Sequence, residues 1–285
     1  MAGPALAKGR LPDFIIAGTQ KGGTTWLEHN LNRHPQVCTP RRQLHFFDRE
    51  WDRGLDWYRE QFASCSRAPV IGEKTTEYLD TLHCDRTAQR IATTLPDVKL
   101  IFMLRDPVDR AISAVRHHVN SGLEKVPRDL DRLLHGDAGL GEEKGFRYLE
   151  RGLYAQQIAT FLRHIPAENM FSIVLEEDVK RTPERTWSRV SEYLGLDPLP
   201  ALALDRKVNV LRLSRPALDA SRLLYSVPYA RAVIRRADRL VPLPKWSLEV
   251  PDGLRERLQE YYCEDFAKLE TLLDRDLTVW KTDPA

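Results

Sequence analysis

Two groups of residues have the types and the spacing that anion chemistry needs. The first is Gly18-Thr-Gln-Lys21-Gly22-Gly23-Thr24-Thr25. An apolar run ends at Gly18, and a helical pattern begins at the two threonines. Glycines in such a turn let backbone N–H groups approach an anion, and the helix N-terminus adds its dipole. Lys21 brings a point charge; Thr24 and Thr25 bring hydroxyls. The pattern reads as a phosphate cradle, although an ordinary tight turn can hold the same glycines. It is not a Walker A loop, in which lysine follows the last glycine; here Lys21 precedes Gly22 and Gly23. The second group is Arg105-Asp-Pro-Val-Asp-Arg-Ala-Ile-Ser113. Arg105 falls where a strand meets a helix, the edge at which open α/β sheets bind ligands. Ser113 follows about two helical turns into that helix. A guanidinium fork and a hydroxyl suit a second phosphate. Two phosphate sites on one edge imply a nucleotide phosphorylated at two positions, whereas Arg-Asp-Pro alone is also a common salt-bridged turn.

The elements that must position these groups alternate. Residues 13–18 form a short apolar run suited to a buried strand, and residues 24–33 have helical periodicity ended by Pro35. Residues 98–104 are strongly β-forming, and Pro107 opens a helix over 108–119. Residues 170–175 read as a third strand, followed by a helix over 183–194 that Gly195 ends. Residues 70–72 read as a shorter strand. Strands alternating with helices imply a central parallel sheet with helices on both faces, an α/β fold. Residues 121–145, rich in glycine, and residues 196–216, with three prolines, read as irregular. The alternation continues across both, so a single domain over residues 1–285 is expected.

Composition bounds the function. Of 285 residues, 42% are hydrophobic and 29% charged. That is globular and excludes disordered, collagen-like and disulfide-scaffold chains. No apolar run approaches the roughly 20 residues that span a bilayer. The first residues lack the apolar stretch of a secretory signal, so a cytoplasmic protein with no transmembrane segment is expected. The net charge of +2 is too balanced to indicate nucleic acid. Residues 206–247 hold ten Lys/Arg against two Asp/Glu, which suits an anionic partner or a solvated helix surface. Cys38, Cys65, Cys84 and Cys263 match no zinc spacing and are expected to be reduced, mostly buried thiols. No metal site is expected.

The motifs together make the chain resemble sulfotransferases that use 3′-phosphoadenosine 5′-phosphosulfate, especially the heparan sulfate sulfotransferase domains, and specifically a bacterial member. The blocks that carry the resemblance are Lys21-Gly-Gly-Thr-Thr25, Leu44-His-Phe-Phe-Asp48 with Gly54-Leu-Asp-Trp-Tyr58, Glu73-Lys-Thr-Thr-Glu-Tyr78, Arg105 to Ser113, and Arg151-Gly-Leu-Tyr154. They cover residues 12–195; residues 196–285 resemble the family only loosely. The resemblance implies a P-loop-like sulfotransferase fold and no metal. It implies that Lys21, Gly22, Gly23, Thr24 and Thr25 cradle the 5′-phosphosulfate, and that Arg105 and Ser113 hold the 3′-phosphate. Lys74 then faces the hydroxylated acceptor and the transferring sulfuryl group. Arg151 and Tyr154 are candidates to close over the nucleotide. A nucleotide-contacting loop is expected near Lys207, Asn209, Arg212 and Arg215.

The family's usual base is a glutamate two residues before the His-Phe-Phe block, and here that position is Gln43. An amide has no useful basicity. His45 is the nearest candidate base. If residues 44–47 are extended, side chains 43 and 45 share a face. His117, His118 and Glu73 are the alternatives. Phe46 and Phe47 read as core, and Asp48 as an orienting group. Two other classes fit parts of the sequence: a P-loop kinase, which lacks its Walker A lysine here, and a non-catalytic nucleotide-binding protein, which Gln43 allows.

Overall fold

A computed structural model of the chain describes residues 9–80, 82–134, 146–199, 213–241 and 243–281. In chain order the strands and α-helices are β1 (Phe14–Gly18), α1 (Thr24–Leu31), β2 (Val37–Cys38), α2 (Gly54–Glu60), β3 (Val70–Lys74), α3 (Cys84–Thr94), β4 (Lys99–Leu104), α4 (Pro107–Asn120), α5 (Leu130–Leu134), α6 (Tyr154–Leu162), β5 (Met170–Val174), α7 (Pro183–Leu194), α8 (Arg215–Leu223), α9 (Ala230–Leu240) and α10 (Leu254–Leu273). Contacts divide the chain into two compact units. One comprises residues 1–106, 153–206 and 263–285, the other residues 107–152 and 207–262.

The first unit holds a five-stranded sheet in the order β2-β3-β1-β4-β5, with every neighbouring pair parallel. Period-two alternation sorts its side chains. Phe14 and Ile16 of β1, Ile101 and Met103 of β4 and Ile173 of β5 join one buried cluster with Trp26, Leu27 and Leu31 of α1 and with α7 residues Trp187, Val190 and Leu194. Phe102, of opposite parity, meets Phe161 of α6 edge to face at 5.3 Å. The sheet therefore has helices against both faces. Each fully buried aliphatic or aromatic side chain of this kind contributes about 1.5–3 kcal/mol. From β1 the chain goes to β2 and then β3 on one side, and afterwards to β4 on the other. The ends of β1 and β4 thus flank the topological switch point, where a ligand crevice forms in open α/β sheets.

The second unit is helical. Arg110 of α4 is buried, and its Nη2 donates to the Tyr148 carbonyl. Gly152 packs against Pro107 and Tyr262, and the Tyr262 hydroxyl donates to the Leu149 carbonyl at 2.8 Å. Within the glycine-rich stretch read as irregular, α5 is a short helix; residues 135–145 lie outside the described residues.

The cysteines depart from expectation. Cys38 and Cys65 form a disulfide across a separation of 27 residues, Cys84 is buried, and Cys263 is exposed. Pairing of Val37 with Val70 and of Cys38 with Ile71 draws the end of β2 beside the segment that precedes β3. That proximity comes from strand order, which cysteine spacing does not reveal. Among the described residues no helix is long and apolar enough to cross a membrane.

Candidate active site

The turn after β1 is held tightly against β4. Thr19 N–H donates to the Met103 carbonyl at 2.9 Å, and Gly22 N–H donates to the Thr19 carbonyl at 3.0 Å. A Cβ on Gly22 would lie 2.2 Å from the Met103 oxygen, so only glycine fits there. Gly23 caps α1 with φ 101, a left-handed conformation that glycine adopts without penalty. Lys21 is also left-handed, with φ 68. The turn therefore needs both glycines for backbone reasons, and it delivers Lys21, half-buried, and Thr24 to the start of a helix. Thr25 is exposed at the same helix start.

Arg105, just beyond β4, reaches this turn. Its Nη1 donates to the Lys21 carbonyl at 3.5 Å, and its Nε lies 4.0 Å from Glu176 Oε1. Tyr154 is fully buried, and its hydroxyl donates to the Arg105 carbonyl at 2.9 Å. Tyr154 thus fixes the backbone of Arg105. Ser113 sits half-buried on α4 in the second unit. Arg151, in a short 3₁₀ turn, is half-buried in that unit. Lys207, Asn209 and Arg212 lie outside the described residues, and Arg215 is exposed at the start of α8, paired with Asp219 at 3.7 Å.

Lys74 ends β3, the strand beside β1. Its ammonium donates to Glu28 Oε2 from the second turn of α1, and both side chains are largely shielded. Glu28 was not singled out in the sequence, because nothing in either segment announces the pairing. Lys74 therefore stands beside the helix that the cradle opens, with its charge held by a carboxylate.

Gln43 and His45 converge on the turn after β3, by a route other than the one the sequence implied. Residues 44–47 are not extended: His45 has φ 53, and its carbonyl accepts from Arg49 N–H at 3.0 Å and Glu50 N–H at 2.8 Å. This kink, not strand alternation, turns the imidazole. Gln43 Oε1 accepts from Thr76 N–H at 2.8 Å and Thr76 Oγ1 at 2.9 Å. His45 Nδ1 lies 3.0 Å from Asp48 Oδ2, and Nε2 lies 3.8 Å from Glu77 Oε2. Asp48 has the orienting position expected of it. Glu77 is a second carboxylate that spacing within its segment does not reveal; its Oε2 lies 2.9 Å from Thr76 Oγ1, sharing that hydroxyl's one proton with Gln43, and its Oε1 accepts from Gln20 Nε2 at 3.4 Å. A donor from Gln20 ties this carboxylate to the cradle turn.

Glu73 has a different place. It is fully buried and accepts from the Tyr58 hydroxyl, from Thr75 Oγ1 at 2.7 Å and from the Tyr78 hydroxyl at 2.7 Å. Burial raises its pKa against the opposing pull of these three donors. Thr75 Oγ1 in turn accepts from the N–H groups of Leu44 at 3.2 Å and His45 at 3.3 Å. Glu73 therefore anchors the His45 loop from beneath. Phe46 and Phe47 are core, as expected; Phe46 stacks on Tyr58 at 4.3 Å. In the second unit, His118 is buried with Nδ1 3.0 Å from the Tyr148 hydroxyl, and His117 is exposed.

One sheet edge thus gathers a glycine turn with a lysine, a guanidinium, a second lysine and an imidazole between two carboxylates. Known proteins are similar to this chain. Residues 11–215 match the family model described as "Sulfotransferase domain". Human heparan sulfate glucosamine 3-O-sulfotransferase 3B1 is 34% identical over 187 residues, covering 66% of this chain and 47% of that protein. Mouse heparan sulfate glucosamine 3-O-sulfotransferase 6 is 36% identical over 190 residues, covering 66% of this chain and 53% of that protein. The chain spans about half the length of these curated relatives. The crystal structure of a sulfotransferase from Alicyclobacillus acidocaldarius superposes with a TM-score of 0.68 at 26% identity, covering 96% of this chain and 100% of that one. Since the family match runs from before β1 to the start of α8, and so takes in the cradle, the His45 loop, β3 and Arg105, the chain belongs to the sulfotransferase domain family.

Proposed function

We propose that this protein transfers a sulfuryl group from 3′-phosphoadenosine 5′-phosphosulfate to a hydroxyl of a small-molecule, lipid, glycan or carrier-bound acceptor. The observation that carries the reading is the meeting of the Lys21 turn and Arg105 at the switch point, with Lys74 and His45 on the adjoining edge. A glycine turn with two left-handed residues suits a phosphate, and Lys21, Gly22, Gly23, Thr24 and Thr25 would hold the 5′-phosphosulfate. Arg105 and Ser113 would hold the 3′-phosphate. The acceptor oxygen forms its bond to sulfur as the bond from sulfur to the 5′-phosphate oxygen breaks, and the hydroxyl proton leaves to a base. Lys21 stabilises the charge gathering on the leaving phosphate, and Lys74, released from Glu28, that on the sulfuryl oxygens. His45 takes the proton. With Nδ1–H donated to Asp48, its Nε2 keeps a lone pair that faces the turn bearing Glu77.

Calorimetry tests the donor site. The protein is expected to bind adenosine 3′,5′-bisphosphate more tightly than adenosine monophosphate, and Arg105→Ala to erase most of that preference, since a charge-assisted contact is worth about 1.5–3 kcal/mol. Equal affinities in the parent protein defeat the second phosphate site. A second reading, nucleotide binding without transfer, draws on the amide at Gln43. Tight bisphosphate binding with no sulfuryl transfer across a panel of hydroxylated acceptors would establish it.

We propose further that residues 1–285 form one catalytic domain. The cytoplasmic placement expected from the sequence is kept, and the Cys38–Cys65 disulfide bears on it directly. Reducing compartments hold such pairs as dithiols. Acid quenching of intact cells followed by alkylation of the unfolded protein decides the compartment: cysteines 38 and 65 modified without reductant agree with the cytoplasm, and both protected until reductant is added exclude it.

A further inference from the structure

The second unit carries an exposed surface apart from the residues assigned to sulfuryl transfer. Of the 13 large hydrophobic side chains exposed in the described residues, nine fall within residues 223–243. Leu223 is 85% exposed, Tyr229 86%, Val233 65% and Leu240 81%. An apolar excess of this density marks an interaction site, because single exposed leucines are ordinary and a cluster is not.

Its geometry follows from the helices. α8 buries Ala217, Leu218 and Ser221, so it is packed. α9 buries only Asp238. That carboxylate accepts from Ser214 N–H at 3.2 Å and from Lys245 Nζ at 2.7 Å, a polar latch that holds α9 in place along one line. Helical spacing then puts Val233, Ala237 and Leu240 together on a face that the latch does not cover. Arg236 borders this apolar stripe, and Arg235 and Arg239 follow further round the helix. All three arginines are exposed. Over residues 222–243 the sole acid is Asp238, and it is buried. The exposed face is therefore apolar and cationic, with no exposed carboxylate to balance it.

We propose that α9 and the turn before it form an attachment site for the surface of an anionic lipid bilayer. An interfacial helix needs aliphatic and aromatic side chains to enter the acyl boundary and arginines long enough to reach the phosphates beside it. Tyr229, Val233 and Leu240 supply the first, and Arg235, Arg236 and Arg239 the second. A sulfated polysaccharide would use the arginines but leave the aliphatic side chains in water, so lipid fits the whole surface better. The proposal is independent of the sulfuryl-transfer reading.

Flotation with vesicles tests it, using phosphatidylcholine alone and phosphatidylcholine mixed with phosphatidylglycerol, at low and high salt. The protein is expected to float with the anionic vesicles at low salt, and hardly at all with neutral ones. Each arginine near an anionic surface is worth about fivefold, so Arg235→Gln/Arg236→Gln/Arg239→Gln should lower the partition coefficient on the order of 100-fold. Val233→Ser/Leu240→Ser should lower it at least about tenfold. These exposed positions leave the fold intact, which circular dichroism and unchanged bisphosphate affinity would verify. Failure to float with anionic vesicles overturns the proposal, as does equal flotation of both variants and the parent. Sedimentation as a dimer that Val233→Ser/Leu240→Ser dissolves would also overturn it, by making a second copy the occupant. So would retention on immobilised heparin combined with no vesicle binding.

Discussion

Cutting the Cys38–Cys65 disulfide should weaken the fold by an amount that the chain itself sets. The bond closes a loop with a sequence separation of 27. In the chain-entropy account, a closure of that length removes about 3.5 kcal/mol of unfolded-state freedom at 25 °C. Cys38→Ser/Cys65→Ser should lose about that much stability, and at an m-value of about 3 kcal/mol per M urea the midpoint should fall by about 1 M. The closed segment carries Gln43, His45, Asp48 and α2, while the Lys21 turn lies outside it. Contacts besides the bond also hold the loop: Phe46 stacks on Tyr58, and Tyr58 donates to Glu73. Bisphosphate affinity should therefore hold while turnover falls, since only the His45 side gains freedom. Urea unfolding with and without reductant, followed by fluorescence, measures the first effect, and calorimetry the second. Thiol counting adds a check. Burial pushes Cys84 up to about 12, so the native oxidised protein should show one reactive thiol, Cys263, and the unfolded oxidised protein two. Four thiols without reductant, or a reductant-independent urea midpoint, would refute the reasoning.

Other outcomes follow from the site. Lys21→Ala should lose both donor affinity and turnover, whereas Lys74→Ala should lose turnover mainly, because its charge acts where sulfur is transferred; equal losses of donor affinity with no further fall in turnover would contradict these separate roles. His45→Asn should lower turnover by roughly 10²–10⁴-fold with bisphosphate affinity kept, and Glu77→Gln should lower it less. If Glu77→Gln costs as much as His45→Asn, the carboxylate is the base. Gln43→Glu should rescue His45→Asn better in a Glu77→Gln background than alone, since two carboxylates on one turn oppose each other's ionisation. For Glu73, the folded state binds the proton more tightly than the unfolded state. Its contribution therefore turns unfavourable as pH rises from its unfolded pKa, about 4.3, through its higher folded value. Across that window the parent should lose stability relative to Glu73→Gln; a pH-independent difference in urea midpoints would reject the raised pKa.

Periodicity made the sheet legible where strands were long. β1, β4 and β5 and the helices α4 and α7 lie within a residue or so of the positions that apolar patterning gives. β3 extends past Gly72 to Lys74 because Glu73 and Lys74 interrupt the apolar run while their backbones still pair with β1. β2 is two residues long, too short for any period to register. The basic stretch concealed α8, which buries Ala217 and Leu218 but has too few large apolar residues for a period to register, and α9, whose apolar residues do not face a core. The disulfide depended on strand order, which only the fold provides.

The site was legible to the extent that it is local. The cradle and Arg105 each lie at the end of one strand, so a glycine turn or a strand-to-helix junction announces them. Glu28 and Glu77 act on residues from other segments, and nothing within a segment signals that. The His45 loop shows what this costs an argument by spacing. Extended geometry would have put side chains 43 and 45 on one face, yet a left-handed His45 brings them together instead. Such a conformation costs a non-glycine residue about 1–2 kcal/mol, and Thr75 Oγ1, held by Glu73, offsets it by receiving the Leu44 and His45 N–H groups. Strain held in place by a buried network is typical of functional loops. The resemblance to the heparan sulfate enzymes implies a glutamate at position 43. The amide here keeps an oxygen acceptor for Thr76, so the turn retains its shape while position 43 loses its charge. Glu77, adjacent to Thr76, returns a carboxylate to the same turn, 3.8 Å from the imidazole. With an amide at Gln43, the carboxylate of this turn is Glu77, an arrangement consistent with the proposed role of His45.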